Sequence, residues 1–487
     1  MARPPARFDF TAPVPPLANL GRVHLIAIGG AGMSAVARLL LARGVTVSGS
    51  DAADGATLHA LRDSGARVHV GHDPAHLEAV DTVVVSSAIR DDNVELAAAR
   101  AAGLRVLHRA QALAALMEGS RRVAVAGANG KTTTTSMLVV GLVAAGADPS
   151  FASGGEIAQL GTNATLGAGP AFVVEADESD GSFLVYRPEV AVVTNVQPDH
   201  LDFYGTAEQV ADAYAGFAAT VPEGGLVVVC HDDPGSRRLG DDLRRRGGRT
   251  VVSYGYGEGS DLRVLGTTAD GLGTRSVLRD EGADRTLDLL VPGEHNVLDA
   301  CGAYLAAVRG LGADPDAVLS GLSGFGGARR RFEVRGEVEG VTVVDDYAHN
   351  PAKVAAVVGT AAQVVRRAGP GSLRVVFQPH LYSRTRDFAA DFARALAPAD
   401  QVVILDVYGA REAPLDGVTS ALVGDPLADL PGERTVVVGA TRDEAVAAVV
   451  GAARPGDLVL TVGAGDVTAL APLVLEGLRR RAGGGPP

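Results

Sequence analysis

From Val23 onward the chain alternates short β-branched apolar runs with Ala- and Leu-rich stretches of helical length. That alternation constrains the fold more than any single motif does. Parallel strands need a crossover of a dozen or more residues, usually a helix, so such a chain builds α/β layers. The runs fall into three series. The first has VHLIAIGG (23–30), a helix over roughly 33–43 and VTVSGSD (45–51), with strands expected at 81–86 and 104–107. The second opens on RRVAVAG (121–127), with a long helix from Thr132, then FVVEA (172–176), VAVVTN (190–195) and LVVVC (226–230). A stretch over 250–292 reads as more antiparallel. The third places strands near 342–346, 373–377, 401–406, 434–438 and 457–462. The expectation is α/β in three domains, 21–118, 119–328 and 329–478, after an irregular Pro-rich arm (1–20) and before a disordered tail (479–487).

Composition narrows the function. The net charge of −13 argues against a nucleic-acid partner or an anionic membrane surface. A phosphate must then be captured locally, by backbone N–H groups, a lysine or a metal. Cys230 and Cys301 offer no disulfide framework and read as core residues. The N-terminus MARPPARFDF lacks the apolar region of a signal peptide, and no apolar run is long enough for a membrane span. A cytoplasmic protein is expected.

The segment VAVAGANGKTTTT (123–135) is a β-run, a glycine loop and a helix start. Gly127, Ala128, Asn129 and Gly130 can curve around a di- or triphosphate, with N–H groups and the helix N-terminus as donors. Lys131 supplies a point charge, and the Thr132 hydroxyl, followed by Thr133, can reach Mg²⁺. The spacing G-x-x-G-K-T is shorter than the usual P-loop, since Val125 stands where its first glycine would be. A Gly turn with an exposed lysine is the bland alternative. It is disfavoured because Lys131 and Lys353 are the only lysines in the chain. The central domain is therefore expected to be a P-loop-type ATPase domain.

Glu175, Asp177, Glu178 and Asp180 crowd the end of the run FVVEA, and Asp199, His200 and Asp202 follow the run VAVVTN. Repelling carboxylates are tolerated best beside a cation, and ligands of open α/β sheets bind outside the carboxyl ends of strands. Thr132, Glu175 and His200 are expected to converge on Mg²⁺ beside the phosphate loop.

The run IGGAGMSAVA (28–37) carries G-x-G-x-x-A as Gly30, Gly32 and Ala35, with Asp51 about 20 residues on at a strand end. Locally this is a Rossmann-like dinucleotide fingerprint and would fit a nicotinamide oxidoreductase. The physics asks only for a diphosphate at a helix N-terminus, which a UDP-sugar also supplies. An oxidoreductase leaves the phosphate loop and its acids unexplained.

GANGKTTTTSM, EADESDGSF, TNVQPDHLDFYG, GEHNVLDA, RRRFEVRG, DDYAHNP, FQPHLYSRTR and GAGD occur in this order. In that set the chain resembles the Mur ligases, and among them the UDP-N-acetylmuramate–L-alanine ligases, over essentially its whole length. The resemblance implies a Rossmann-like first domain holding UDP, a central domain holding ATP and a Rossmann-like C-terminal domain bringing the amino acid. It implies ATP and Mg²⁺ as cofactors, UDP-N-acetylmuramate and a small amino acid as substrates, and a monomer or weak homodimer.

Residue by residue, Gly127 to Thr133 would hold ATP phosphates, and His295 and Asn296 would line the adenine pocket. Arg331 and Asp346 would meet phosphate and ribose. Gly30, Ala31, Gly32, Met33, Ser34, Asp51, His72 and Ser87 would hold UDP, and Gly161, Thr162 and Asn163 the muramoyl sugar. Tyr347, His349, His380 and Arg384 would frame the amino acid. Lys131, Glu175, His200, Arg331 and His349 would carry catalysis. The sequence departs from the family pattern at Asn129 (commonly His, though other Mur ligases carry Asn), Gln197 (Glu), Asp299 (Asn) and Asn350 (His); the last two bear on amino-acid choice more than on reaction type. A ligase reattaching a recycled murein peptide and a non-catalytic nucleotide-binding relative are the alternatives.

Overall fold

The computed structural model describes residues 7–410 and 412–483, without the Asp202 side chain. Three sheets form, one for each series of runs. The first is built from β1 (Val23–Ile26), β2 (Val47–Asp51), β3 (Arg67–Val70), β4 (Thr82–Val85) and β5 (Arg105–His108). Its order is β3-β2-β1-β4-β5, every pair parallel. The order reverses at β1, and the first glycine loop follows that strand, where open α/β sheets open a crevice.

The second sheet holds β6 (Arg121–Ala126), β7 (Ser150–Ile157), β8 (Thr162–Thr165), β9 (Ala171–Glu175), β10 (Val190–Val193), β11 (Leu226–Cys230), β12 (Thr250–Gly255), β13 (Leu262–Asp270), β14 (Gly273–Asp280) and β15 (Ala283–Leu289). Its order is β15-β14-β13-β12-β11-β10-β6-β9-β7-β8. The third sheet holds β16 (Glu333–Val338), β17 (Val341–Asp346), β18 (Leu373–Phe377), β19 (Gln401–Leu405), β20 (Thr435–Ala440) and β21 (Leu458–Val462), in the order β16-β17-β21-β18-β19-β20. The first two sheets belong to one compact unit and the third to another.

β1, β4, β10, β11, β19 and β21 are buried at every residue, which is why they read as unbroken apolar runs: helices cover both faces. Two expectations need correction. β12 is not antiparallel; it runs parallel to β11 in register Leu226↔Thr250, because the helix Pro234–Arg246 forms a crossover between them. The antiparallel pairing comes later, between β14 and β15. The expected tail is helical through Ala482, since Leu470, Val474, Leu475 and Leu478 anchor the helix Leu470–Ala482 in the core; residues 484–487 lie outside the described part, as do residues 1–6 of the arm. Residues 7–20 carry one 3₁₀ turn, Leu17–Asn19. β3, β7, β8 and β16 went unseen in the sequence; β3 and β16 contain no fully buried residue, and β7 and β8 mix polar and apolar residues.

The acidic segment after β9 is fixed by packing. Phe183, fully buried, stacks on Phe217 at 5.0 Å and meets Tyr214 edge-on at 5.6 Å. Phe183→Ala is expected to cost about 3–5 kcal/mol in urea unfolding. A loss below about 1 kcal/mol would show that this cluster does not anchor the segment.

Candidate active site

The phosphate loop leaves β6 through Gly127 (φ 143°) and enters the helix Lys131–Ala144 through Gly130 (φ 83°). Both positions require glycine. A Cβ on Gly127 would lie 1.9 Å from Thr194 Oγ1, and one on Gly130 2.3 Å from Asp299 Oδ1. The helix has no side-chain cap, so its first N–H groups are directed to whatever the loop holds. Several other helices do carry a side-chain cap, among them those led by Asn93, Asp233 and Thr441. Gly127→Ala is expected to weaken binding of a non-hydrolysable ATP analogue by at least about tenfold, strain of about 1–3 kcal/mol falling on the loop. Calorimetry showing unchanged affinity would remove the loop from nucleotide binding.

Asn129 and Gln197, two of the family departures, bond to each other: Asn129 Nδ2 donates to Gln197 Oε1 at 3.2 Å. Asn129 N donates to Asn195 Oδ1 at 3.0 Å, and its carbonyl accepts from Thr194 Oγ1 at 2.6 Å. The changes form a matched amide pair that braces the loop against the end of β10.

Lys131 Nζ donates to the Gly127 carbonyl at 2.7 Å and pairs with Glu178 at 2.8 Å. Burial opposes its charge, but Glu178, Asp177 and Glu175 outweigh that and raise its pKa. Burial pushes the Glu178 carboxyl up, with Lys131 opposing. Thr132 Oγ1 donates to Glu175 Oε1 at 3.1 Å, and Gly154 N to Glu175 Oε2 at 2.7 Å. His200, in the left-handed region at φ 52°, turns Nε2 toward Glu178 Oε1 at 3.7 Å. Thr132 and Glu175 are thus brought together, while the carboxylate facing His200 is that of Glu178. The acids each have a counterpart: Asp177 faces Arg109 at 3.7 Å, and Asp180 faces His108 at 3.3 Å and accepts from Ser87. His108, Ser50 and Glu178 hold Asp180, His72 and Lys131 respectively, although the sequence singled out none of the three for that work.

At the first glycine loop, Gly30 precedes the helix Ala31–Ala42, again without a side-chain cap. Asp51 Oδ2 accepts from Gly29 N at 2.9 Å, so it pins the loop. Met33 and Ser34 lie in the first turn of this helix with their side chains buried, and Ser34 Oγ donates to Ala31 O at 3.1 Å. Asn163 reaches this helix, donating from Nδ2 to Ala31 O at 3.2 Å. Gly161 and Thr162 bond locally: Gly161 N donates to Ile157 O at 2.9 Å and Thr162 Oγ1 to Ala164 O at 2.9 Å. His72 Nδ1 lies 3.0 Å from Glu95 Oε2 and 3.0 Å from Ser50 Oγ. His295 is exposed and Asn296 buried on the helix Glu294–Leu305.

In the C-terminal unit, Tyr347, His349 and His380 form a chain of rings, with centroids 5.1 and 5.8 Å apart. Arg384 Nη1 donates to the His349 carbonyl at 3.3 Å. Tyr408, missed in the sequence, stacks on His380 at 5.8 Å; its place beyond the end of β19 was the available signal. Arg331 lies 5.5 Å over the Tyr347 ring. Asp346 accepts from Phe332 N at 2.8 Å and Ala348 N at 2.7 Å, and so shapes the turn that carries Tyr347. Asn350 caps the helix Pro351–Ala368 through Lys353 N at 2.9 Å, which gives that departure a structural task.

His349 Nδ1 donates to the Tyr347 carbonyl at 2.9 Å, leaving Nε2 with its lone pair. Burial, with Arg384, Lys353 and His380 adding repulsion, lowers its pKa to about 4. The fold thus favours the neutral ring. That contribution is present above the ordinary histidine pKa and is lost as pH falls through the folded value. An NMR titration of the unliganded protein is expected to show a His349 midpoint near about 4; a midpoint near about 6.5 would contradict this.

Two glycine-capped helices, a lysine–carboxylate phosphate loop and a histidine–arginine cluster characterise a nucleotide-handling chain. The sequence matches the family models "Mur ligase family, catalytic domain" over residues 22–121, "Mur ligase middle domain" over 125–307 and "Mur ligase, glutamate ligase domain" over 330–465. It is 57% identical over 474 residues to a UDP-N-acetylmuramate–L-alanine ligase of Kineococcus radiotolerans, covering 96% of this chain and 99% of that one.

The chain belongs to the Mur ligase family.

A UDP-N-acetylmuramate–L-alanine ligase of an Arthrobacter species is 54% identical over 470 residues, covering 96% and 97% of the two chains. The crystal structure of a UDP-N-acetylmuramate–alanine ligase from Thermotoga maritima matches with a TM-score of 0.77 at 29% identity, over 95% of this chain and 99% of that one. A murein peptide ligase from Psychrobacter arcticus shares the fold, at a TM-score of 0.66 and 24% identity over 94% and 98%. This Mur ligase has no helix, among the described residues, long and apolar enough to cross a membrane.

Proposed function

We propose that the chain is a cytoplasmic ATP-dependent UDP-N-acetylmuramate–L-alanine ligase, the first peptide step of peptidoglycan precursor synthesis. The observation that carries this is 57% identity over nearly full length to a relative of that name, together with Lys131, Thr132 and Glu175 assembled at one loop. The recycled-peptide alternative is less well supported, since the murein peptide ligase match is weaker in identity and in TM-score.

A carboxylate is a poor electrophile. In this reading ATP passes its γ-phosphoryl to the muramoyl carboxylate, giving ADP and an acyl phosphate. The amine of L-alanine attacks the acyl carbon, and the tetrahedral intermediate expels phosphate. Catalysis is then positioning and charge neutralisation. Lys131, already held beside the loop carbonyl, neutralises the transferring group.

Thr132 and Glu175 are the residues that would hold Mg²⁺. A hydroxyl and a carboxylate are hard oxygen donors, and Mg²⁺ is usually held by few protein ligands plus phosphates and water. When bound, Mg²⁺ supplies charge stabilisation on the phosphates. His349, neutral with Nε2 available, suits removal of a proton from the incoming ammonium. Arg384 suits the amino acid's carboxylate as a planar fork.

The test is phosphate release with ATP, Mg²⁺ and UDP-N-acetylmuramate, comparing L-Ala, Gly, L-Ser and a murein tripeptide. Release that depends on L-Ala supports the reading. Release with the tripeptide alone moves the chain to the recycling reaction, and no release with any acceptor leaves a nucleotide-binding relative.

A further inference from the structure

A cavity of about 260 Å³ opens between the first glycine loop and the acids after β9, lined among others by Ala31, Gly32, Arg109, Ser153, Glu175 and Asp177. Arg109 is the only lysine or arginine among its lining residues. It stands at the first position of the helix Arg109–Leu116, whose start is fixed by a reciprocal cap: His108 N donates to Gln111 Oε1 at 2.9 Å, and Ala110 N to His108 Nδ1 at 3.2 Å. Every residue of that helix after Arg109 is buried, so the arginine projects from a rigid base.

The guanidinium packs on the backbone of Gly32. A Cβ there would lie 1.9 Å from Arg109 Nη1 and 3.0 Å from Cζ. Gly32 is the second glycine of G-x-G-x-x-A, the place where a diphosphate comes closest to the main chain. Its cation therefore stands where the fold brings phosphate. The Asp177 carboxylate is 3.7 Å away, beyond hydrogen-bond length, so the pair is loose enough to exchange for a ligand. The charge balance asks for such a group. The chain carries −13, Glu175 and Asp177 also face the cavity, and a helix N-terminus offers only about half a positive charge.

We infer that Arg109 is a substrate-binding residue that holds the diphosphate of the nucleotide-sugar substrate. The inference rests on the UDP-N-acetylmuramate reading above. A planar fork of donors recognises paired anionic oxygens, and the muramoyl carboxylate is the other group of that chemistry on the same molecule. UDP carries the diphosphate without the carboxylate and so separates the two.

Calorimetry on the full chain would compare UDP, UDP-N-acetylmuramate and a non-hydrolysable ATP analogue for wild type, Arg109→Ala and Arg109→Lys. Arg109→Ala is expected to weaken UDP and UDP-N-acetylmuramate by the same factor, at least about tenfold, with the ATP analogue unchanged. Arg109→Lys is expected to recover only part of the loss, since it keeps the charge without the fork. In turnover the KM for the sugar nucleotide rises and kcat holds. Unchanged UDP affinity in Arg109→Ala overturns the inference, as does a loss confined to UDP-N-acetylmuramate, which places the fork on the carboxylate. An equal loss for the ATP analogue overturns it in favour of a structural role. Failure of the wild type to bind UDP-N-acetylmuramate is a different result and sinks the functional reading itself.

Discussion

Lys131→Ala is expected to abolish ATP-dependent phosphate release and to lower thermal stability as well. The first effect follows from the ammonium's place beside the Gly127 carbonyl and the carboxylates after β9. The second follows from its pairing with Glu178, which is 2% exposed. Removing one partner of a buried pair leaves an uncompensated charge, a loss of about 3–5 kcal/mol. Burial already raises the Glu178 carboxyl's pKa, so uptake of a proton in the variant limits the loss.

The two effects are separable. Lys131→Met combined with Glu178→Gln is expected to regain much of the stability and none of the turnover. The pH behaviour is also defined. Lys131 has a raised pKa, so its stabilisation is fully present below the ordinary lysine value and is lost only as pH rises through the higher folded value. The ammonium's own contribution is therefore constant across the neutral range. Near-normal turnover in Lys131→Ala would sink the phosphate-loop assignment. Unchanged melting with lost turnover would leave the assignment standing and show that Glu178 is satisfied without the lysine.

The second large effect is expected at Glu95, far from the phosphate loop in sequence. Its side chain is fully buried. It accepts from Ser50 Oγ at 2.5 Å and Asp73 N at 3.3 Å, and lies 3.0 Å from His72 Nδ1 and 2.8 Å from His76 Nδ1. His24 Nε2 is 3.7 Å away. Glu95→Ala strands several donors in the core, each worth about 1–3 kcal/mol, so it is expected to be among the most destabilising single changes in the first sheet's unit. Burial alone would raise the Glu95 pKa, but the facing His24 and hydrogen bonds from Ser50 and His76 outweigh it and hold the carboxyl well below the usual range. A depressed carboxylate stabilises the fold above its unfolded pKa, and that stability is lost as pH falls through the folded value. Urea unfolding followed from about pH 6 to pH 3 is expected to show this loss in the wild type and a shallower slope in Glu95→Gln. Equal slopes would assign the acid sensitivity to other groups.

Much of the architecture was legible because the signals were local. Strands such as β10 and β11, covered on both faces, leave unbroken apolar runs, and a glycine loop between a strand and a helix is written in consecutive residues. The strands that escaped notice were those at sheet edges or with mixed faces, such as β8 and β16, where no periodicity marks the chain. The β12 direction was misread for a related reason: strand direction depends on the crossover helix, not on the strand's own residues.

At the candidate site the division runs along the same line. The sequence by itself determined the fold class, the two glycine loops and the residue types that handle phosphate, because each is encoded within a dozen neighbouring positions. Only the tertiary structure decided which acid meets which cation. Glu178 rather than Glu175 takes Lys131 and faces His200, Asp180 ties to Ser87 and His108, and Arg109 lies against Gly32. These partners are separated by tens of residues, and electrostatic pairing acts over a few ångströms of space, which a one-dimensional pattern does not record.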